Sequence, residues 1–336
     1  MRRIIRFNKA PRVISAASVV GKKEKEGPLG ACFDLFDPSD KFGKDTFEQA
    51  ESEMQRLALA LAIKRSGLGG APEAVFSGDL MNQCTSSSYG LMSFGAPYFG
   101  LYGACSTAAE GLILGAMSIE SGAFETVGCV SSSHNGSAER QFRFPLEYGS
   151  QRPPTAQWTA TASAAFILGV SEVTGNVERA VRVTEALPGR IVDKGICDQS
   201  NMGAAMAPAA ANTLATYFAL SGREPRDFDM ILTGDLGKEG SSICRELLES
   251  EGIDMGDVYS DCGVLLYSGS TQDTHCGGSG CGCSAAVTAG YVLERFARGE
   301  VSSVLLVGTG ALMSPTSVQQ GLSIAGVAHL VHLSSD

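Results

Sequence analysis

Tyr102-Gly-Ala-Cys-Ser-Thr-Ala-Ala-Glu-Gly-Leu112 carries the backbone through Gly103 and Ala104 into a cysteine, and an alanine-rich helix follows directly. Cys105 therefore falls where a strand or turn hands over to a helix N-terminus. Free N–H groups and the positive end of a helix dipole point at such a position. That setting lowers a thiol pKa and makes a reactive thiolate. The same residues also read as a small buried cysteine ahead of a packed helix, because free cysteine is among the most buried residue types.

The second half of the chain repeats the pattern. Gly282-Cys-Ser-Ala-Ala-Val-Thr-Ala-Gly-Tyr-Val292 sets Cys283-Ser284 against Cys105-Ser106. Each pair opens a helical segment, 107–120 or 285–298, which passes through a glycine into an apolar strand. Upstream, Val75-Phe-Ser-Gly-Asp-Leu80 matches Ile231-Leu-Thr-Gly-Asp-Leu236. Two motifs recurring in the same order imply two related βα halves. The expected halves are 1–175, carrying Cys105, and 176–336, with Ser171-Glu-Val-Thr-Gly-Asn176 at the boundary.

A chain of 336 residues with 44% hydrophobic content can bury a large core. The net charge of −10 argues against a nucleic-acid surface. No long apolar run predicts a spanning helix, and the basic N-terminus lacks the apolar core of a secretion signal. The ten cysteines scatter through apolar segments, as free thiols in a reducing compartment do.

Residues 1–40 read as irregular. A helix is predicted over 45–66, capped by Thr46 or Asp45, with Met54, Leu57 and Leu61 on one face. Strands are predicted over 98–102, 126–130, 164–168, 180–186, 229–236, 264–267, 304–307 and 327–333, and helices over 209–220 and 241–250. After the strand at 126–130 comes a polar run, Ser131-Ser-Ser-His-Asn-Gly136, in a common place for a binding loop. His134 reads as a surface histidine or a pocket donor. Arg140 and Arg143 are candidates to meet an anion, or pair with Glu139 and Glu147.

His275-Cys-Gly-Gly-Ser-Gly-Cys-Gly-Cys-Ser284 lets a backbone approach a ligand closely and offers N–H groups to an anion. Its glycines and its place in the repeat account for the loop without a metal, since Cys276, Cys281 and Cys283 lack the separated pairs of a zinc site. No nucleotide-cradle motif occurs.

The duplicated half with a cysteine at a buried helix N-terminus resembles the thiolase and ketoacyl-synthase fold, an α/β architecture of five αβαβα layers. More finely, the chain resembles the stage V sporulation protein AD (SpoVAD) family. The resemblance rests on Lys23-Glu-Lys-Glu-Gly-Pro-Leu-Gly30, Gly103-Ala-Cys-Ser-Thr107, Ser132-Ser-His-Asn135, Ala138-Glu-Arg-Gln-Phe-Arg143, Met206-Ala-Pro-Ala-Ala-Ala211, Ile231-Leu-Thr-Gly-Asp-Leu236, Gly277-Gly-Ser-Gly-Cys281 and Thr309-Gly-Ala-Leu312. It implies a homodimeric protein that binds dipicolinate, or its calcium chelate, and takes part in its uptake into the developing spore. It further implies work beside membrane proteins of the same operon, at the cytoplasmic side of the forespore inner membrane.

A condensing enzyme of this fold needs two further polar groups converging on the sulfur, usually two histidines or a histidine and an asparagine. Where one of them is expected, this sequence has Gly234 or Asp235. A carboxylate there raises the thiol pKa and repels an oxyanion. A non-catalytic binder is therefore expected, with Cys105, Asn201, Asp235, His275, Gly277, Gly278, His134 and Arg140 as candidate ligand-binding residues. Calcium is a candidate companion of the ligand, and no resident metal is expected. An acyl-transferring enzyme with Cys105 as nucleophile, and a scaffold with a vestigial pocket, are the alternatives.

Overall fold

Along the strand Ser303–Leu312, Val304 and Leu306 join one buried cluster while Leu305 and Val307 join another. Successive side chains of a strand point to opposite faces, so this strand is covered on both sides. The same is true of the strands Thr126–Ser133 and Ala162–Gly169 in the first half of the molecule, a computed structural model that describes residues 3–142, 152–170 and 180–335.

The first half contributes β1 (Arg12–Gly21), β2 (Ala74–Gly78), β3 (Tyr98–Leu101), β4 (Thr126–Ser133) and β5 (Ala162–Gly169). The second contributes β6 (Val181–Leu187), β7 (Met230–Thr233), β8 (Tyr259–Asp261), β9 (Ser303–Leu312) and β10 (Ala325–Ser335). They lie in the order β8-β7-β9-β10-β6-β1-β5-β4-β2-β3. β2 runs parallel to β3 and β4, and β5 is antiparallel to β4 and β1. β7 runs parallel to β8 and β9, and β10 is antiparallel to β9 and β6. The two halves thus share one topology and meet at the pair Arg12–Arg182.

The main helices are α1 (Phe47–Ser66), α2 (Thr107–Glu120), α3 (Asn135–Phe142), α4 (Met202–Ser221), α5 (Gly237–Ser250) and α6 (Cys281–Val287). α6 continues through a wider turn, Thr288–Val292, into Leu293–Arg298. The clusters define the layers. Met54, Ala58 and Leu59 of α1 pack on Val75, Val130 and Ile167. Leu112 of α2 and Val287 of α6 pack between Phe166 on one side and Leu306 and Val331 on the other. Met206 and Leu214 of α4 and Leu248 of α5 cover Ile231 and Leu305. This gives helix, sheet, helix, sheet and helix, a thiolase-like α/β fold.

Several local expectations are corrected. Residues 12–21 form a full strand within the stretch read as irregular. Ser15, Ala16, Ala17 and Ser18 hide it, because a strand covered on both faces needs small residues and shows no alternation. Val264–Tyr267 is not a strand. Asp261 accepts from the Val264 N–H and caps a short helix, Cys262–Leu266, while the strand is Tyr259–Asp261 just before it. α4 starts at Met202, well before 209, and runs through Pro208. The expected boundary at 171–176, Arg143 and Glu147 lie outside the described residues.

The buried helix demands small residues on the strand it crosses. A Cβ on Gly308 of β9 would lie 2.6 Å from the Ala109 Cβ of α2. Gly308→Ala is therefore expected to destabilise the protein by about 1–3 kcal/mol. Gly70, whose added Cβ meets nothing within 4 Å, serves as the control. Gly70→Ala is expected to be neutral or slightly stabilising. Urea denaturation of the two variants reads this directly, and equal effects would sink the close-approach argument.

Candidate ligand pocket at Cys105

Cys105 follows β3 by a short turn in which Ala104 adopts φ 51°, a left-handed conformation that a non-glycine residue holds at a cost. Gly103–Ser106 then winds tightly into α2, with the Ser106 N–H bonded to the Gly103 carbonyl at 3.1 Å. The thiol is buried at the head of the helix, as its place in the sequence requires.

The second half supplies what surrounds it. Asp235 stands at the end of β7, fully buried. Its carboxyl oxygens accept from the Thr309 hydroxyl at 2.8 Å, the Ser279 hydroxyl at 3.1 Å and the Gly280 N–H at 2.8 Å. Gly280 takes φ 101°, and a Cβ there would press within 2.5 Å of Ser133 Oγ, so only glycine can present that N–H. Ser279 Oγ in turn lies 3.9 Å from Cys105 Sγ. The Gln157 amide donates to the Asp235 carbonyl at 2.6 Å and to the Gly278 carbonyl at 2.8 Å, locking the glycine-rich loop onto the strand end.

The surroundings of Cys105 oppose the thiolate that a helix N-terminus favours. Burial pushes the Cys105 thiol well above its ordinary range, and the Asp235 carboxyl adds to the shift. Both oppose the helix dipole. Burial also raises Asp235, against the Cys105 thiol, the Gly280 N–H and the Thr309 and Ser279 hydroxyls, which lower it. The floor of the pocket is a thiol whose ionisation is disfavoured, beside a hydrogen-bonded acid.

A cavity of about 330 Å³ opens above this floor. Leu80, Ala138, Phe142, Met202 and Leu312 supply apolar wall, and Tyr102, Thr159, Gln199, Ser314 and Ser317 supply polar groups. Among the described residues that line it there is no lysine, arginine or histidine.

Of the candidate residues, only Cys105 lines this cavity, with Asp235 bonded to its neighbour Ser279 and Gly278 fixed behind it. Gly277, at φ 113°, gives its carbonyl to the Trp158 N–H. Asn201 caps α4, accepting from the Ala204 N–H at 3.1 Å. His275 points to Asp273, 3.1 Å from its carboxylate. Arg140 pairs with Glu48 of α1 at 3.1 Å. His134 is buried against Phe47. Its Nδ1 accepts from the Gly136 N–H at 3.0 Å, so Nε2 carries the proton and donates to the Asp40 carbonyl at 2.8 Å. Burial lowers its pKa. The loop cysteines also part company: Cys276 bonds to the Pro154 carbonyl, Cys281 to the Ser132 carbonyl, and Cys283 sinks into the core.

Sequence reasoning missed a second buried acid group. Glu51 of α1 accepts from Ser132 at 2.8 Å and from Ser137 of α3 at 2.6 Å. Gln55 bonds to Ser77, Ser87 and Ser132. Asp79 accepts from the Ser87 hydroxyl at 2.6 Å and the Met81 N–H at 2.8 Å. The network holds α3 and the 80–87 segment, both of which carry pocket wall. Asp79 was legible as the repeat partner of Asp235. Nothing in the sequence joined Glu51 to it.

Two measurements test this electrostatics. Cys105 is expected to alkylate at least about tenfold more slowly at neutral pH than the exposed Cys197, read by mass spectrometry of the cysteine peptides. Equal rates would show a thiolate. Burial, and then the Asp79 carboxylate, raise Glu51 from 4.5 to about 8. The unfolded chain releases this proton near 4.5 and the folded chain only near 8, so the group costs stability progressively as pH rises across that window. Glu51→Gln is expected to flatten the fall in denaturation free energy between those values, and an unchanged slope would overturn the assignment.

Solved structures share the architecture. OleA of Xanthomonas campestris superposes with a TM-score of 0.63 over 98% of this chain and 100% of that one, at 13% identity. The 3-oxoacyl-[acyl-carrier-protein] synthase III of Aquifex aeolicus VF5 gives 0.57 over 96% and 99%, at 12% identity. In sequence, the stage V sporulation protein AD of Bacillus subtilis (strain 168) is 38% identical over 318 residues, 94% of this chain and 92% of that protein. The family description "Stage V sporulation protein AD (SpoVAD)" matches residues 1–334. A match of that extent, on a thiolase-like fold, makes this chain a member of the SpoVAD family of sporulation proteins.

Proposed function

We propose that this chain binds dipicolinate without turning it over and takes part in its uptake into the developing spore. The observation that carries the non-catalytic reading is Asp235. Acyl transfer through Cys105 needs a thiolate and donors for an oxyanion. A buried carboxyl bonded to Thr309, Ser279 and Gly280 opposes the first and supplies none of the second.

Dipicolinate is a flat ring with two carboxylates. The Cys105 cavity offers apolar walls and hydroxyls, and its described lining carries no cation. A bare dianion is costly to desolvate there. The calcium chelate brings its own positive charge, so we propose the chelate as the better occupant.

We further propose a homodimer through β3, an edge strand whose only ladder partner among the described residues is β2 and whose Tyr98 and Phe99 are exposed. Among the described residues no helix is long and apolar enough to cross a membrane. Attachment at the forespore inner membrane, beside membrane proteins of the same operon, is accordingly proposed as peripheral.

Calorimetric titration with dipicolinate, with and without calcium, tests the reading. Saturable binding is expected, tighter with calcium, retained in Cys105→Ala and lost in Ala311→Phe, which fills the cavity from Ala311 of β9 on its wall. Absence of heat in every condition would leave a scaffold with an empty pocket as the better account. Transfer of an acyl group from acyl-CoA to Cys105 would establish the enzyme instead.

A further inference from the structure

The duplication predicts a second cavity, and the structure contains one. The Cys105 cavity is walled by the turn after β9 (Leu312, Met313, Ser314) and by the approach to α4 (Gln199, Met202). Their counterparts in the first half are the turn after β4 and the approach to α1. These line a separate cleft of about 630 Å³: His134, Asn135 and Gly136 come from the turn, and Asp40, Lys41 and Phe47 from the approach. Cys283, the counterpart of Cys105, does not line it and is fully buried. Inside, Glu24 accepts from the Thr161 N–H and the Tyr267 hydroxyl.

The two cavities differ in charge. Lys22, Lys23 and Lys41 line the twin cleft, together with Glu26, Asp40 and Asp273. The acids are engaged: Glu26 lies 3.9 Å from Lys22, Asp40 accepts from the Lys22 N–H at 2.7 Å, and Asp273 pairs with Arg152 at 2.6 Å. Among the described residues no carboxylate pairs with Lys23 or Lys41. Each ammonium sits 4.0 Å from the centre of an aromatic ring, Lys23 at Trp158 and Lys41 at Phe47, and Lys41 also donates to the Asp45 carbonyl at 3.2 Å. The Gln272 amide holds the Lys23 carbonyl at 2.7 Å and so fixes the backbone that carries it. Asn135, also on the lining, has its amide nitrogen buried with no acceptor among the described residues.

We propose that this cleft is a second ligand site, distinct from the Cys105 pocket, for a small organic carboxylate with an apolar body. Lys23, Lys41 and the Asn135 amide would bind the carboxylate, and the Trp158 and Phe47 rings would border the apolar part. The assignment is independent of what the Cys105 pocket binds.

Trp158 is the only tryptophan in the chain, so its fluorescence reports on this cleft. Benzoate is expected to change that fluorescence saturably. Lys23→Gln and Lys41→Gln should each weaken the response by about tenfold or more, the worth of one charge-assisted hydrogen bond. Ala311→Phe should leave the response unchanged. Inorganic phosphate, which lacks the apolar body, should bind more weakly. No saturable response to benzoate overturns the site, as does a response that Ala311→Phe removes and the lysine variants keep. Phosphate binding as tightly as benzoate overturns the carboxylate assignment.

Discussion

One buried carboxyl ties the two halves of the site together. Asp235 ends β7, takes the Thr309 hydroxyl from β9, and takes the Ser279 hydroxyl and Gly280 N–H from the loop that leads into α6. The donors come from two pieces of chain, β9 and the loop before α6. Removing the acid would orphan all three in a dry interior, where an unpaired polar group costs about 1–3 kcal/mol. The loop that closes the floor of the Cys105 pocket therefore owes its position to Asp235. The same proximity bears on the chemistry, because burial first and then the Asp235 carboxyl push the thiol pKa up.

The equivalent residue of the first half took another course. Asp79 also ends a central strand after a glycine, but it turns to Ser87 and Met81 and joins Glu51 and Gln55 beneath α3. One copy of the motif organises a cavity floor, and the other braces the wall of that cavity. The cysteines diverge in parallel: Cys105 borders open space and Cys283 is core. Duplication supplied two scaffolds, and burial of different side chains made them unequal. Charge followed the same split, with lysines in the first-half cleft and hydroxyls in the second-half pocket.

The architecture was legible because repetition is a signal that survives weak propensities. Cys105 and Cys283, and the two Gly-Asp-Leu strand ends, placed the pairs of strands and helices correctly. Strand β1 escaped, since Ser15–Ser18 carry neither alternation nor bulk. In the site, Asp235 beside the thiol followed from the resemblance to condensing enzymes, which expects a polar group at that strand end. His134, Arg140, His275 and Asn201 did not converge on the pocket, for a common reason. Each is polar and close to the right loop in sequence, but each meets a nearer local partner: a carbonyl, a glutamate, an aspartate and a helix N-terminus. Sequence position gives the loop. It does not give the competition for hydrogen bonds within it.

That competition also explains why the pocket offers so few charges. A cation reaching into a 330 Å³ cavity beside Asp235 would pair with it, neutralise it and free the Ser279–Gly280 loop. The acid is kept instead by neutral donors, which hold geometry without cancelling charge outside the site. A floor built this way cannot supply the countercharge for an anionic guest. Such a guest must arrive with its own cation, or must bind elsewhere on the molecule, where Lys23 and Lys41, with no carboxylate partner among the described residues, line a cleft. Whichever cavity an anion enters, its recognition is decided by countercharge more than by the sulfur that first marks the site in the sequence.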